Sequence, residues 1–327
     1  MDVLGMPLDP GINIAIQQAC SFLTFLVVPG VLLDSTQWYL ILIAVLYLGF
    51  HPRRGLGLAV LVGVTGGLNE ALKLAWHLPR PYWISPDVKI FTSHPSFGFP
   101  SGAAMYGAAM YGYIAAAVRR RWVLVVCALL LITTTVVRVM GGIHFVQDAA
   151  GGLIFGFLLL LVFLLAEPRV EAYAAGLSRP ARWAGILLLT ALPIIFVIPP
   201  YLALSGWELP ASWAATAFQQ TGQAIDPVAI RYAWGVADIT LGSLTGYEIL
   251  RSRGGWVPPE GLWQKGAVIL TGTGSTLALW WIITTTREAC HIPEPIESAL
   301  TVVSMAVVVF WLICCVPLMA RRAGFAG

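Results

Sequence analysis

Charge is scarce in this chain. Only 11% of its 327 residues are Asp, Glu, Lys or Arg, where a soluble domain carries about a quarter. So few charges cannot clothe a water-facing surface of this size, and with 58% hydrophobic residues the natural solvent is a bilayer. Cysteine is also sparse. Cys20, Cys127, Cys290, Cys314 and Cys315 are odd in number and suit no metal-ligand spacing, so they read as small buried hydrophobes. No basic residue precedes the first apolar stretch, and a cleaved signal peptide is not expected. There is no low-complexity linker and no convincing internal repeat. The net charge of +3 leaves no patch for nucleic acid, and the run Arg119–Arg121 reads as a topology signal.

What the chain has in abundance is long apolar runs. Trp122–Met140 and Leu153–Ala166 each extend to the roughly 20 residues that cross a bilayer core. Ten spans are expected, near 13–33, 36–50, 55–77, 101–118, 122–140, 147–166, 184–204, 229–250, 265–286 and 297–319. The fold class is therefore all-α, a polytopic transmembrane bundle. The polar stretch 167–182 separates an expected six-helix core, 1–166, from a four-helix membrane subdomain, 183–327, and is read as a cytoplasmic linker. Alternate loops hold 13 of the 19 Lys and Arg residues, which places those loops and both termini in the cytoplasm. The other six, Lys73, Arg80, Lys89, Arg138, Arg231 and Arg287, lie in or beyond the outer halves of spans, where charge needs a reason.

Three stretches converge on that outer face. Lys73 is followed after six residues by Arg80-Pro81. Pro100-Ser101-Gly102 opens the fourth span after a loop rich in proline and aromatic residues. Arg138 is followed after five residues by His144, and His144 after three more by Asp148. Three cations at one depth repel one another unless an anion sits among them, and phosphate suits arginine's paired donors. Ser101 and Gly102 add a hydroxyl and the free N–H groups of a helix start. His144 and Asp148 share a helix face, so the carboxylate can hold one ring nitrogen and leave the other as a nucleophile.

Together these residues resemble the type 2 phosphatidic acid phosphatase superfamily. Its motifs read Lys-x6-Arg-Pro, Pro-Ser-Gly-His and Ser-Arg-x5-His-x3-Asp. Lys73, Arg80 and Pro81 match the first, Pro100, Ser101 and Gly102 most of the second, and Arg138, His144 and Asp148 the third, with Val137 in place of Ser. The resemblance implies a six-helix core and hydrolysis without metal or cofactor, through a phosphohistidine. Lys73, Arg80, Ser101, Gly102 and Arg138 would bind phosphate, His144 would attack phosphorus and Asp148 would orient it. The expected partner is a phosphorylated lipid in the bilayer. The expected location is the bacterial inner (plasma) membrane, with the site on the periplasmic or extracellular side. The run Arg80-Pro81-Tyr82-Trp83 is similar to that of glucose-6-phosphatases and keeps a sugar phosphate open as substrate.

One position departs. Ala103 stands where the family's second motif places the histidine that protonates the leaving oxygen, and loss of a general acid costs about 10²–10⁴-fold. Three readings fit: a replacement that silences an enzyme, a natural loss that leaves a lipid-binding or transport protein, or an enzyme with another acid, His94 or His77, or with a diphosphate substrate that needs none. Lesser signals are Glu70, expected to pair with Lys73; Asp238 with Arg231 inside the eighth span; and an outer cluster of Arg287, Glu288, His291, Glu294 and Glu297. Trp38, Trp83, Trp122, Trp207 and Trp256 read as interfacial anchors.

Overall fold

Apolar segments in lipid must satisfy their own backbone, which favours helices. In the computed structural model, which describes residues 2–3, 6–229, 238–290, 292–293 and 296–325, the chain is all-helical apart from a short antiparallel pair, Asp2–Val3 with Met6–Pro7. Helices α1 (Pro10–Ala19), α2 (Val27–Leu32), α3 (Thr36–Gly49), α4 (Pro52–Trp76) and the single turn α5 (Pro81–Ile84) come first. Then follow α6 (Gly102–Val118), α7 (Arg121–Met140), α8 (Val146–Gly176), α9 (Arg179–Ala203) and α10 (Ala211–Thr221). The remainder comprises Asp238–Ser252, Leu262–Ala289 and Ile296–Phe310, the last continuing through a π-helical turn, Trp311–Cys315, into Val316–Arg322.

Six described stretches are long and apolar enough to cross a membrane: Pro52–Ile84, Arg121–Met140, Val146–Gly176, Arg179–Ala203, Leu262–Ala289 and Ala299–Arg322. They coincide with six of the ten expected spans, and α3 is an apolar but shorter helix. The expected first span, 13–33, is instead α1, a 3-10 segment Ser21–Leu26 and α2. Its polar residues explain the break. Asn13 Nδ2 donates to the carbonyls of Val139 (3.2 Å) and His144 (2.9 Å), and Gln17 Nε2 to those of Lys89 (2.7 Å) and Met140 (2.9 Å). Helix α1 is fastened to the backbone at the end of α7 and to the loops at Lys89 and His144, whereas Phe22 and Phe25 of the 3-10 segment are exposed. The expected eighth span, 229–250, is described as Asp238–Ser252, and Arg231 lies outside the described residues. Helix α10 was not anticipated; five of its eleven residues are Ser, Thr or Gln, too polar a run to read as a span. Residues 167–176 of the polar inner stretch continue α8 through Pro168.

The chain forms two compact units. The first comprises Met1–Ser35, Leu68–Phe163 and Phe196–Ala233. Its aromatic core gathers the fully buried Tyr82, Trp83 and Phe97 with Leu74, Val197 and Leu204. Gln220 of α10 donates to the Ser85 carbonyl at 2.9 Å and ties that helix to α5. Small residues let α8 approach the start of α6. A Cβ on Gly152 would stand 2.5 Å from the Ser101 carbonyl oxygen, and one on Gly156 would stand 2.6 Å from that of Met105. The two backbones touch there, as in close helix pairs that lack intervening side chains.

The second unit comprises Thr36–Gly67, Leu164–Ile195 and Trp234–Gly327. Tyr47 Oη donates to the Ile313 carbonyl at 3.0 Å and Trp256 Nε1 to that of Leu48 at 3.3 Å. Arg54 pairs with Glu167, and Arg182 with Glu248 at 2.9 Å. Trp83 and Trp256 are thus buried packing residues rather than interfacial anchors, whereas Trp122 is exposed.

Replacing Gly152 by valine should push α6 from α8 and cost about 1–3 kcal/mol, the usual cost of overpacking. Thermal unfolding in detergent measures it, with Gly185→Val as control, because a Cβ there meets nothing within 4 Å. Equal stability of the two variants would refute the close contact.

Candidate functional site

The site belongs to the first unit. Lys73 lies in the last turn of α4, which ends at Trp76. His77 then turns left-handed (φ 39°), and Arg80 is extended, capping the one-turn helix that Pro81 opens. This exit turns Arg80 inward, where it is 1% exposed. Its guanidinium donates through Nε to the Ser96 carbonyl (2.6 Å), through Nη2 to the Phe97 carbonyl (3.1 Å) and Ser96 Oγ (3.2 Å), and through Nη1 to the Ile143 carbonyl (3.2 Å). Lys73 Nζ donates to Ser96 Oγ at 3.1 Å. The expected partner Glu70 is buried within electrostatic range of both cations, but the ammonium's bond goes to Ser96.

Arg138 lies in the last turn of α7 and is also buried. Its Nη2 donates to Asp34 Oδ2 at 2.8 Å, and its Nη1 faces His94 Nε2 at 3.1 Å. A guanidinium only donates, so His94 Nε2 accepts. The same rule fixes His144. Arg80 Nη1 faces His144 Nε2 at 3.3 Å, so Nε2 carries the lone pair and Nδ1 the hydrogen. Asp148 Oδ2 lies 3.2 Å from Nδ1 and receives that hydrogen, and it also accepts the Phe145 N–H at 2.9 Å.

The start of α6 reaches the same carboxylate's residue from the other side. Ser101 N–H donates to the Asp148 carbonyl at 2.9 Å, and Asn69 Nδ2 holds the Pro100 carbonyl at 3.3 Å. Gly98 passes so near Asp148 that a Cβ would lie 3.2 Å from Oδ2 and 2.6 Å from the Pro79 carbonyl oxygen. Ser101 Oγ and Arg138 Nε are buried donors with no hydrogen-bond partner among the described residues, and Asp148 Oδ1 is a buried acceptor in the same condition. Ala103 is 2% exposed, one residue into α6.

Electrostatics favour neutral rings. His144 is held well below the ordinary imidazole range, first by burial and then by Arg80, Lys73 and Arg138. His94 is lowered likewise, by burial and then by Arg80, Arg138 and Lys73. No described group of three or more His, Cys, Asp or Glu side chains is placed to hold a metal ion.

The expected residues are therefore brought together: Lys73 and Arg80 through Ser96, Arg80 with His144, His144 with Asp148, and Asp148 with Ser101. Ser96, Asp34, Asn69 and Asn13 belong to no spaced motif, and no pattern in the chain points to them. Tyr82 and Trp83 are fully buried in the aromatic core, so the Arg-Pro-Tyr-Trp run carries no information about a sugar substrate. His77 packs edge-on against Phe97 and Trp207. His291 and Glu294 of the outer cluster lie outside the described residues.

Two curated proteins and one family resemble parts of this chain. A stretch of 136 residues, 36% of this chain, is 32% identical to 45% of a riboflavin transporter of Rhizobium johnstonii. A stretch of 154 residues, 43% of this chain, is 29% identical to 73% of phosphatidylglycerophosphatase B of Bacillus subtilis. The chain thus spans under half the length of the first relative and about three quarters of the second. No solved structure matches. Residues 54–171 match the PAP2 superfamily, and that range contains both sides of the His144–Arg80 contact, from Lys73 to Asp148. The chain carries a PAP2 superfamily domain at residues 54–171.

Proposed function

We propose that this chain is an integral membrane phosphatase that hydrolyses a lipid phosphate or lipid diphosphate through a phosphohistidine on His144. The observation that carries the reading is the state of that ring: Nδ1 is held by Asp148, and the Nε2 lone pair faces the Arg80 guanidinium. A phosphate bound by Lys73, Arg80 and Arg138 would bring phosphorus to that lone pair. Ser101 Oγ and Arg138 Nε, buried without partners, would donate to its oxygens, and the N–H groups at the start of α6 would face it. Asp148 would stabilise the imidazolium as the P–N bond forms, the role an orienting carboxylate has in a triad. The relative named phosphatidylglycerophosphatase B supports a lipid substrate. Lys and Arg placement supports a periplasmic or extracellular site with both termini in the cytoplasm. All the site residues, from Asp34 to Asp148, lie within 1–166, which supports reading that segment as the phosphatase core and 183–327 as an added subdomain.

Ala103 offers no proton to a departing alkoxide, so an alkyl phosphate would need its proton from another group of the site. A second reading is a non-hydrolysing transporter that retains a phosphate cradle. Ala103 and the relative named as a riboflavin transporter favour it.

Three measurements test the phosphatase. In a His94→Ala background, which also lacks the other candidate acid beside Arg138, Ala103→His should raise phosphate release from lipid monophosphates by about 10²–10⁴-fold. No gain across lipid phosphates and diphosphates, with lipid transfer between vesicles intact, would favour the transporter. His144→Ala should abolish a base-quenched, radiolabelled phosphoprotein; label that survives the change would exclude His144 as nucleophile. Because its folded-state pKa is depressed, His144 should stay neutral as pH falls through about 6.5, the ordinary imidazole value, and protonate only well below it. Imidazole 15N shifts in detergent, assigned by loss of the signal in His144→Ala, report this. A charged ring at pH 6 would contradict the geometry.

A further inference from the structure

The reading above leaves a protonation step without a residue. An alkoxide leaves a phosphorus centre poorly unless it is protonated as the bond breaks, and Ala103 has no proton. Of the five histidines, His144 is the nucleophile, His51 borders a cavity of the other unit beside Arg53 and Arg54, and His291 lies outside the described residues. His77 Nδ1 faces the Ala75 carbonyl at 3.3 Å, and its ring packs edge-on against Phe97 and Trp207. His94 is different. Its Nε2 lies 3.1 Å from Arg138 Nη1, on the guanidinium whose unpartnered Nε is available to phosphate.

The position of His94 is also built. Tyr82, fully buried in the aromatic core, clamps its backbone from both sides: Tyr82 Oη donates to the His94 carbonyl at 2.8 Å, and the His94 N–H donates back to Oη at 3.1 Å. The loop is thereby pinned two residues before Ser96, the shared acceptor of Lys73 and Arg80. His94 is partly exposed where His144 is buried. A nucleophile on the inner side of a bound phosphate and a proton donor at its solvent side are what in-line displacement requires.

We propose that His94 is the general acid of this site, in place of the histidine absent at 103. The inference rests on the phosphatase reading. The ring is neutral where it accepts from Arg138. A phosphate dianion entering the cluster cancels two positive charges and engages Arg138, which frees Nε2 to take a proton from solvent. His144 Nε2 then attacks phosphorus, and the bond from phosphorus to the leaving oxygen breaks. The electron pair stays on that oxygen, which takes the proton from His94 and departs as an alcohol. A water then attacks the phosphohistidine, the P–N bond breaks with its pair returning to His144 Nε2, and the water's proton passes to a phosphate oxygen as inorganic phosphate leaves. His94 is reprotonated from solvent.

The test compares two esters on the full-length protein in detergent: a lipid phosphate, whose alkoxide needs a proton, and p-nitrophenyl phosphate, whose phenolate departs without one. His94→Gln keeps a hydrogen-bonding group beside Arg138 but transfers no proton, and His94→Ala removes both. Both variants should lose about 10²–10⁴-fold in kcat on the lipid phosphate and stay within a few-fold of the parent on the aryl ester, which also reports that they fold. Adding Ala103→His to His94→Ala should restore the lipid phosphate rate. Equal losses on both esters would make His94 a phosphate-positioning residue, and no loss on either would make it a bystander; each overturns the proposal and leaves the phosphatase reading standing. An unaltered chain inactive on both esters also overturns it. Activity that then appears in Ala103→His preserves the phosphatase reading, and inactivity there as well defeats both.

Discussion

Asp148 ties three chain segments to one point. Its Oδ2 accepts from His144 Nδ1 and from the Phe145 N–H, its carbonyl accepts from the Ser101 N–H, and Gly98 lies against it with no room for a side chain. These contacts join the loop between α7 and α8, the start of α8 and the start of α6. They also select a tautomer. With Nδ1 committed to the carboxylate, Nε2 has a lone pair, and Arg80 is the group that faces it. In a buried setting each such bond is strengthened by its neighbours, so the arrangement specifies one geometry where isolated pairs would permit several.

Around that point the cations are held apart by bonds that do not neutralise them. Arg80 spends its donors on the carbonyls of Ser96, Phe97 and Ile143, and Lys73 bonds to Ser96 Oγ. Arg138 alone has a carboxylate in contact, Asp34, and breaking such a buried pair costs about 3–5 kcal/mol. Carbonyls and hydroxyls orient a guanidinium and leave its charge available. Burial first, and then the charge of these cations, keeps His144 and His94 neutral.

The placement of Ala103 follows from the same packing. Close approach of α8 at Gly152 and Gly156 presses the first turn of α6 against the site and buries Ala103 there. A position so placed can supply a proton only through its own side chain. The proline-rich loop before α6 is held independently, by Tyr82 and by the cations' bonds to Ser96, so a second basic ring can stand at the cluster without any change in α6.

The all-helical class, six of the membrane-length helices and the motif residues from which the site is proposed were legible in the chain before any packing was known. Scarce charge, long apolar runs and strict spacings are local properties, and they survive without knowledge of packing. The sequence did not determine the broken first segment, since Asn13 and Gln17 interrupt an apolar run only because carbonyls more than a hundred residues away, at Val139, Met140 and His144, lie beside them. It could not find Ser96 or Asp34, which join the site through contacts across the fold rather than through spacing. It read Trp83 as an anchor at the membrane surface, where the aromatic core buries it. The place of His94 beside Arg138 belongs to the tertiary structure alone, because it depends on a loop pinned by Tyr82, and no interval in the chain encodes that bond.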